Sequence, residues 1–279
     1  MENCEIEDLE MVPKELRELQ LVILDMLIEL DKICRKHNIK YTIVAGTLLG
    51  AVRHRGFIPW DDDADVAMLR EDYIKFRDVC ETELDADKYF FQDHTTDKDY
   101  RWGYARIRRK NTKFIRKGQE HLKMRTGIFL DIFPSDNIPD FYPSRLLHCF
   151  FCFVFRKILY SEVGKITEKN KLKKILYKIL NVIPLDTIFR VFEKSANKHN
   201  AKVTKFNRTY AFPPRAGIWL GTPRVWDTDV TDIWFEGHLF STTLYYERYL
   251  EWRFGDYMRF PPPEKRHWHP AALIEFPKK

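Results

Sequence analysis

Residues 41–66 read YTIVAGTLLGAVRHRGFIPWDDDADV, and this stretch decides the fold. Apolar and polar side chains alternate over residues 39–44 with the two-residue period of a strand. Gly46 and Thr47 mark the end of that strand, and residues 47–54 predict a short helix whose first turn offers free backbone amides. A strand, a small-residue turn and a helix N-terminus together form a common seat for a phosphate group.

Four aspartates follow at positions 61, 62, 63 and 65. If residues 61–68 are extended, Asp61, Asp63 and Asp65 share one face and Asp62 lies on the other. Carboxylates two residues apart, about 7 Å along a strand, can converge on cations about 3.5–4 Å apart. Like charges on one face need neutralisation, and an all-oxygen set favours Mg²⁺ or Mn²⁺ over zinc. The alternative is a solvated acidic turn after Trp60.

A fifth aspartate lies inside an apolar segment. Residues 127–134 read GIFLDIFP and predict a buried strand with Asp131 as its single charge. An unpaired carboxylate there would cost several kcal/mol, on the order of 2–7. We therefore predict that Asp131 is a metal ligand or a base, next to Asp61, Asp63 and Asp65. The alternative is an ion pair with one of Arg106, Arg108 or Arg125.

Basic residues near these segments are candidates for binding substrate phosphates. Arg53 follows the predicted phosphate seat and Arg106 lies between the two acidic strands, so we predict that both bind substrate with Gly46 and Thr47. A His-x-His pair at 267 and 269 has no further ligand at metal spacing, which favours a surface or substrate-contact role over zinc.

Composition divides the chain into three parts. Residues 1–140 carry an amphipathic helix at 13–37, the motifs above, a helix near 72–84 and a strand-like segment at 104–115. Residues 141–205 are aromatic and lysine-rich, with helical patterns at 150–160 and 171–180, and we interpret them as a helical insertion. Residues 206–279 return to the core composition.

The balance of charged residues limits the classes of molecule that the chain is expected to bind. A net charge of +6, from 47 basic and 41 acidic residues, suits a small anionic substrate better than duplex nucleic acid, so no nucleic-acid partner is expected. The N-terminus does not resemble a secretory signal, and the apolar run at 146–155 is shorter than the roughly 20 residues of a bilayer span. We expect a cytoplasmic location, with residues 150–178 as a candidate peripheral contact with the inner membrane face; a solvated helix face is the alternative.

Residues 41–66 closely resemble the signature of the LicD family, and the REDY of residues 70–73 continues it. The GIFLDIFP of residues 127–134 resembles the family's third motif. The FEG at 235–237 and the YLEWRFGDYMRFPP at 249–262 resemble its C-terminal block. The similarity spans about residues 15–140 and 206–270. One departure is Ala45, where the family pattern suggests a second glycine.

The resemblance implies an α/β (α+β) fold of the polymerase-beta-like nucleotidyltransferase type, a small mixed sheet flanked by helices, distantly related to the fukutin group. It implies phosphocholine transfer from CDP-choline to a glycan such as lipopolysaccharide or teichoic acid. Asp63 and Asp65 fall on the family's metal aspartates, Asp131 on its third acidic position, and Gly46 with Thr47 where the wider fold carries Gly-Ser.

The expected mechanism places Mg²⁺, held by Asp63 and Asp65, on the donor diphosphate, with Thr47 at a phosphate and Asp131 helping to activate an acceptor hydroxyl. Two alternatives stay open at this point. The transferred group could be glycerol phosphate, ribitol phosphate or a nucleotidyl group. The chain could also be a catalytically silent glycan- or membrane-binding module.

Overall fold

The computed structural model describes residues 12–209, 220–266, 268–269 and 271–278. Its helices are α1 (Lys14–His37), α2 (Ala45–His54), α3 (Arg70–Glu83), α4 (Tyr142–Leu159), α5 (Ser161–Thr167), α6 (Lys171–Leu180), α7 (Leu185–Asn197), α8 (Val225–Thr228) and α9 (Tyr246–Phe254). Its strands are β1 (Thr42–Ile43), β2 (Asp65–Leu69), β3 (Tyr89–Gln92), β4 (Ala105–Arg109), β5 (Lys113–Arg116), β6 (Phe129–Asn137), β7 (Phe206–Thr209), β8 (Thr222–Pro223), β9 (Val230–Phe235), β10 (His238–Thr243) and β11 (Ala271–Glu275).

Helix α1 covers the sheet with one apolar face. The three- and four-residue spacing of its apolar side chains buries a full stripe, and the helix ends where Asn38 takes a left-handed conformation with φ 52°. The predicted helix at 13–37 is therefore confirmed. Inside this otherwise apolar face Gln20 is also buried, which matters for the site described below.

The main sheet is mixed, with strand order β1-β2-β6-β4-β3. Strands β2 and β6 are parallel, and the other pairs are antiparallel. All nine residues of β6 are buried, which fits a central strand covered on both faces. The second half of β6 pairs with β7, which pairs with β8. This mixed sheet flanked by helices confirms the predicted fold class.

Two strand predictions need correction. The strand-like segment at 104–115 is two strands, because Asn111 turns the chain at φ 57°. After that turn β5 leaves the main sheet and pairs with β11, far along the chain. The extended segment predicted at 61–68 becomes a regular strand only at Asp65, so residues 61–64 form a loop in front of β2.

Helices α4 to α7 lie within the predicted insertion, and α4 and α7 share a small apolar core. Its buried members are Cys152, Phe155, Leu159, Ile188, Phe189, Phe192 and Ala196. Helix α7 contacts the sheet through Glu193, whose Oε1 lies 3.7 Å from Nη1 of Arg70. Arg70, at the start of α3, pairs in turn with the buried Asp136 of β6, with Nη2 and Oδ2 2.7 Å apart. Helix α4 begins eight residues before the predicted 150–160. Among the described helices, none has both the length and the apolarity to cross a membrane.

Candidate active site

Three adjacent strands align the charged residues of the site. Asp65 on β2 is in register with Asp131 on β6, and Asp131 is in register with Arg106 on β4. Positions paired across neighbouring strands face the same side of a sheet, with the strands about 4.8 Å apart. Arg106 Nε donates to Asp131 Oδ1 at 2.5 Å, and both side chains are buried. Two residues predicted for the site therefore form one ion pair, as the alternative reading of Asp131 required.

The loop that carries the other aspartates is fixed from three sides. Gln20 Nε2 donates to the carbonyl oxygen of Asp61 at 3.0 Å. The Asp65 N–H donates to Thr47 Oγ1 at 2.8 Å, so the Thr47 hydroxyl ties α2 to the start of β2. The Asp131 N–H donates to the Ala64 carbonyl at 3.1 Å. These bonds from α1, α2 and β6 hold the acidic loop against the edge of the sheet.

The start of α2 leaves room for a carboxylate. A Cβ atom at Gly46 would lie 2.5 Å from Asp61 Oδ2, so the glycine allows the Asp61 carboxylate to lie against the first turn of the helix. Ala45 has φ 53°, in the left-handed region that favours glycine, and its N–H donates to the Tyr249 hydroxyl at 3.1 Å. This conformation is the physical reason for the glycine that the family pattern suggests at position 45.

The carboxylates raise one another's proton affinity. Burial raises the pKa of Asp61 and of Asp65 well above the usual value, and in each case the charge of Asp63 adds to the rise. Burial also raises the pKa of Asp63, and Arg116 opposes this rise. The Asp131 charge raises the pKa of Asp65 further. Asp61, Asp63, Asp65 and Asp131 are thus one electrostatic cluster that favours a bound cation.

This donor set fits a hard divalent cation. All four predicted ligands offer carboxylate oxygens, the ligands that Mg²⁺ and Mn²⁺ prefer. Arg116 Nη2 lies 2.8 Å from Asp63 Oδ2, and Arg106 pairs with Asp131, so two guanidinium groups offset part of the charge of the four carboxylates. The remaining negative charge is what a divalent cation would neutralise.

Sequence reasoning missed two contacts that come from the ribbon of β5 and β11. Arg116 lies on β5, and His269 lies just before β11. The His269 Nδ1 atom lies 2.6 Å from Oδ1 of the buried Asp62, and this hydrogen bond raises the pKa of His269 while burial opposes the rise. Ligand atoms of Asp62, Asp63 and His269 all lie within 4.8 Å of one another.

These contacts correct the predicted position of Asp62 in the acidic loop. Asp62 was expected on the face opposite Asp63, but because residues 61–64 are not yet in a strand the two carboxylates lie close together. His269 contacts Asp62, whereas His267 lies outside the described residues.

Arg53, predicted to bind a substrate phosphate, holds the C-terminal block. Its Nη1 donates to the Tyr257 carbonyl at 2.9 Å, and its guanidinium lies 4.8 Å from the centre of the Phe260 ring. The residue therefore connects α2 to the segment after α9. A substrate contact by Arg53 stays a prediction.

A small pocket of about 50 Å³ lies along the same face of the sheet as the carboxylates. Ala67 lies two residues beyond Asp65, and Ser135 lies four residues beyond Asp131, so both side chains point to the face that carries the acids. The pocket is lined by Val44, Ala67, Ser135, Arg208, Thr209, Gly221, Thr222, Asp227, Tyr249, Trp252 and Arg253.

The pocket carries both signs of charge. Asp227 Oδ2 accepts hydrogen bonds from Ser135 Oγ at 2.9 Å and from Asn207 Nδ2. Burial raises the pKa of Asp227 to about 6, against the effect of these two bonds. Arg253 lies on the side of the pocket near the acidic cluster. Its positive charge lowers the pKa of Asp65 and so opposes the rise that burial causes.

Two aromatic residues, Tyr249 and Trp252, line the pocket, and the Trp226 ring packs against both of them. The centres of the Trp226 and Trp252 rings lie 5.5 Å apart, and Tyr249 lies 5.7 Å from Trp226 and 6.1 Å from Trp252. Trp252 and Arg253 belong to the C-terminal block at 249–262, so the motif pointed to this helix without assigning its side chains. Nothing in the local sequence marks Asp227.

Comparison with known proteins now gives the family. A profile described as "LicD/FKTN/FKRP, nucleotidyltransferase domain" matches residues 38–150. The lipopolysaccharide cholinephosphotransferase LicD of Haemophilus influenzae is 30% identical over 265 residues, which cover 91% of this chain and 95% of that protein. The chain belongs to the LicD family.

Two further relatives of this chain are uncharacterized proteins of Rickettsia. They are 46% identical (Rickettsia typhi) and 44% identical (Rickettsia prowazekii) over 59 residues, or 21% of this chain and 19% and 22% of theirs. Family membership makes the chain a transferase, as the motifs at 41–66 and 127–134 indicated.

Proposed function

We propose that this LicD family member transfers phosphocholine from CDP-choline to a hydroxyl group of lipopolysaccharide or a related surface glycan. The observation that carries the proposal is the pocket beside Asp65, where Arg253, Asp227 and an aromatic cluster lie together. The Haemophilus influenzae relative is a lipopolysaccharide cholinephosphotransferase, which supports the same group and acceptor class.

The pocket matches both ends of a phosphocholine group. A quaternary ammonium has no N–H to donate, so it is held by aromatic faces and by the field of a carboxylate. Trp252, Tyr249 and Asp227 supply these groups. Arg253, toward the carboxylate cluster, suits the phosphate. The zwitterion would thus lie with its phosphorus toward Asp65 and its ammonium toward Asp227.

A divalent cation would be held by Asp61, Asp63, Asp65 and Asp131, with Mg²⁺ or Mn²⁺ as the candidates. When bound, such an ion neutralises phosphate charge and polarises the phosphoryl group. Gly46 allows the Asp61 carboxylate into the site, and Arg116 and Arg106 orient Asp63 and Asp131 through their ion pairs.

In the proposed reaction an acceptor hydroxyl attacks the phosphorus that carries choline. The new P–O bond forms as the bond to the CMP oxygen breaks, the hydroxyl proton passes to a carboxylate of the cluster, and CMP leaves with the electron pair. Arg253 faces the charge that develops on the transferred phosphoryl group, and the first turn of α2 would offer backbone amides to the phosphate of the departing CMP.

A different alcohol phosphate is the competing proposal. Glycerol and ribitol are neutral polyols that would fill the pocket with hydroxyl groups. A buried carboxylate beside the rings of Tyr249 and Trp252 gives such a group fewer hydrogen-bonding partners than it loses from water. The cationic choline head group fits these side chains better.

Calorimetric titration with CDP-choline, CDP-glycerol and CDP-ribitol, each with and without Mg²⁺, tests the proposal. We expect Mg²⁺-dependent binding of CDP-choline that Asp227→Asn and Trp252→Ala each weaken by about tenfold or more. The same variants should change CDP-glycerol binding by much less. Preference of the wild type for CDP-glycerol or CDP-ribitol would show that the transferred group is not phosphocholine. It would leave the assignment as a transferase unchanged.

A further inference from the structure

Helix α6 turns its apolar side to the solvent. The side chains of Leu172, Ile175, Leu176 and Ile179 are 79%, 54%, 52% and 63% exposed. These positions follow the i, i+3, i+4, i+7 spacing of one helix face, and we call them the apolar stripe. Tyr177 is the buried residue of α6. A surface helix of a globular protein normally shows the reverse arrangement, with its apolar face against the core.

The helix is held to the protein from its other side. The Tyr177 ring packs against Gly164 of α5, where a Cβ atom would lie 2.5 Å from the ring, and its hydroxyl accepts a hydrogen bond from Lys157 Nζ at 3.1 Å. Asn170 Oδ1 accepts from the Lys173 N–H at 3.1 Å and so caps the N-terminus. The helix is therefore held in place through Tyr177, on the side opposite the apolar stripe.

Other residues of the helical insertion also expose large apolar side chains. Val182, just after α6, is 80% exposed. Phe141, just before α4, is 70% exposed, and in the first half of α4 Leu147 is 57% exposed and Phe150 is 55% exposed. Contiguous exposed apolar groups of this kind usually mark a surface that meets a partner or a membrane. The helical insertion thus carries an unusual concentration of such groups.

The charges around the apolar stripe indicate what kind of partner it meets. Residues 169–185 contain five lysines and no acidic residue. Lys171, Lys173 and Lys178 are exposed on α6. A second copy of the chain would bring lysines against lysines, a like-charge contact that opposes self-association. An anionic lipid surface meets both the lysines and the apolar side chains.

We propose that α6 and residues 181–183 dock the protein on an anionic lipid bilayer. The helix lies in the plane of the interface, with the apolar stripe among the upper acyl chains and the lysine ammonium groups among the lipid phosphates. The stripe is the hydrophobic anchor, and the lysines make the binding depend on anionic lipid and on salt. The inference does not rest on the proposed function.

Flotation of the full chain with lipid vesicles tests the docking face. We expect binding to vesicles of phosphatidylglycerol mixed with phosphatidylcholine, and about tenfold or more weaker binding to pure phosphatidylcholine. The double variant Ile175→Ser/Ile179→Ser should lower the partition coefficient by about tenfold or more, because both side chains leave water on docking. The triple variant Lys171→Gln/Lys173→Gln/Lys178→Gln should lose binding to anionic vesicles and the salt dependence.

Leu21→Ser on α1 is the matched control, because Leu21 is 46% exposed and lies outside the insertion. Its vesicle binding should equal that of the wild type. Unchanged circular dichroism and thermal melting would show that the variants are folded, as expected for exposed positions. Equal binding by the stripe variant and the wild type, or equal binding to neutral and anionic vesicles, would overturn the proposal. So would self-association of the wild type that the stripe variant abolishes without any vesicle binding.

Discussion

The Arg106 guanidinium on β4 holds the Asp131 carboxylate on β6, with Nε and Oδ1 2.5 Å apart in directly paired positions. Burial disfavours the charge of Arg106, but Asp131 together with Tyr104 and Tyr100 outweighs this effect, and the pKa of Arg106 is raised. The guanidinium also lies over the Phe129 ring, 3.7 Å from its centre. The central strand thus presents a carboxylate whose direction is fixed from the neighbouring strand.

Arg106→Met should be strongly destabilising. It leaves the buried Asp131 carboxylate without its cation, which costs on the order of 3–5 kcal/mol of unfolding free energy. Chemical denaturation measures this cost. The double variant Arg106→Met/Asp131→Asn should lose clearly less than the sum of the two single variants, because neither charge is then left alone.

The exposed pair of Lys113 with Glu275 provides the matched control. Their Nζ and Oε1 atoms lie 2.9 Å apart, and both side chains are about half exposed. Lys113→Met should therefore cost about 0–1 kcal/mol. A cost of Arg106→Met no larger than that of Lys113→Met would contradict the structural account of this pair.

Gly46→Ala should impair function more than stability. The new Cβ atom would meet Asp61 Oδ2, the end of a side chain that can turn away, so the free energy of unfolding should change by about 1 kcal/mol or less. The displaced carboxylate should weaken Mg²⁺-dependent donor binding by about tenfold. Gly50→Ala is the comparison, because its Cβ would meet the backbone oxygen of Gly56 and should cost about 1–3 kcal/mol. Unchanged donor binding in Gly46→Ala would remove Asp61 from the site.

Asp227 should make stability fall as the pH rises. Its pKa is raised by burial from 3.8 to about 6, so between these values the folded protein keeps a proton that the unfolded chain has lost. The stabilisation is complete below the unfolded value and is lost as the pH rises through the folded one, with a total on the order of 1–3 kcal/mol. Asp227→Asn should flatten this slope and stabilise the protein at neutral pH while weakening binding of CDP-choline.

Ser135→Ala checks the cause of that slope. The Ser135 hydroxyl donates to Asp227 Oδ2 and favours the charged carboxylate, so its removal should move the midpoint to higher pH. Thermal melting across acidic to neutral pH reads out both variants. An identical slope in wild type and Asp227→Asn would show that another group causes it.

Asp65→Asn should raise stability when divalent ions are chelated. Burial, Asp63 and Asp131 raise the pKa of Asp65, so the metal-free protein loses stability as the pH rises above the unfolded value of 3.8. Neutral asparagine removes this repulsion, with an expected gain of about 1 kcal/mol. Adding Mg²⁺ should stabilise the wild type and leave the variant unchanged. A variant that melts lower than wild type in chelator would contradict the electrostatic account.

The local sequence pattern correctly predicted those elements whose residues contact near neighbours along the chain. The spacing in α1 predicts its buried face, and the isolated Asp131 predicts a buried charge with a partner. The strand and helix around Gly46 were predicted from residues within one short stretch. These features depend on periodicity and turn chemistry, which a single sequence displays directly.

Long-range contacts could not be predicted in the same way. The Asp63 carboxylate meets Arg116, and Asp62 meets His269, because a turn at Asn111 sends β5 to pair with β11. Nothing near Asp227 in the sequence indicates that it lies along the strand face that carries Asp65 and Asp131. Such partners follow from the strand register and sheet order, which the amino-acid pattern leaves open.

The most direct test of the central claim is transfer of labelled choline from CDP-choline into lipopolysaccharide that lacks phosphocholine, measured with release of CMP. We predict equal amounts of labelled glycan and CMP, dependence on Mg²⁺ or Mn²⁺, and loss of both products in Asp65→Asn. Transfer that proceeds equally in chelator or in Asp65→Asn would contradict the metal-carboxylate site. Pyrophosphate release from a nucleoside triphosphate, with no choline incorporated, would contradict the proposed reaction.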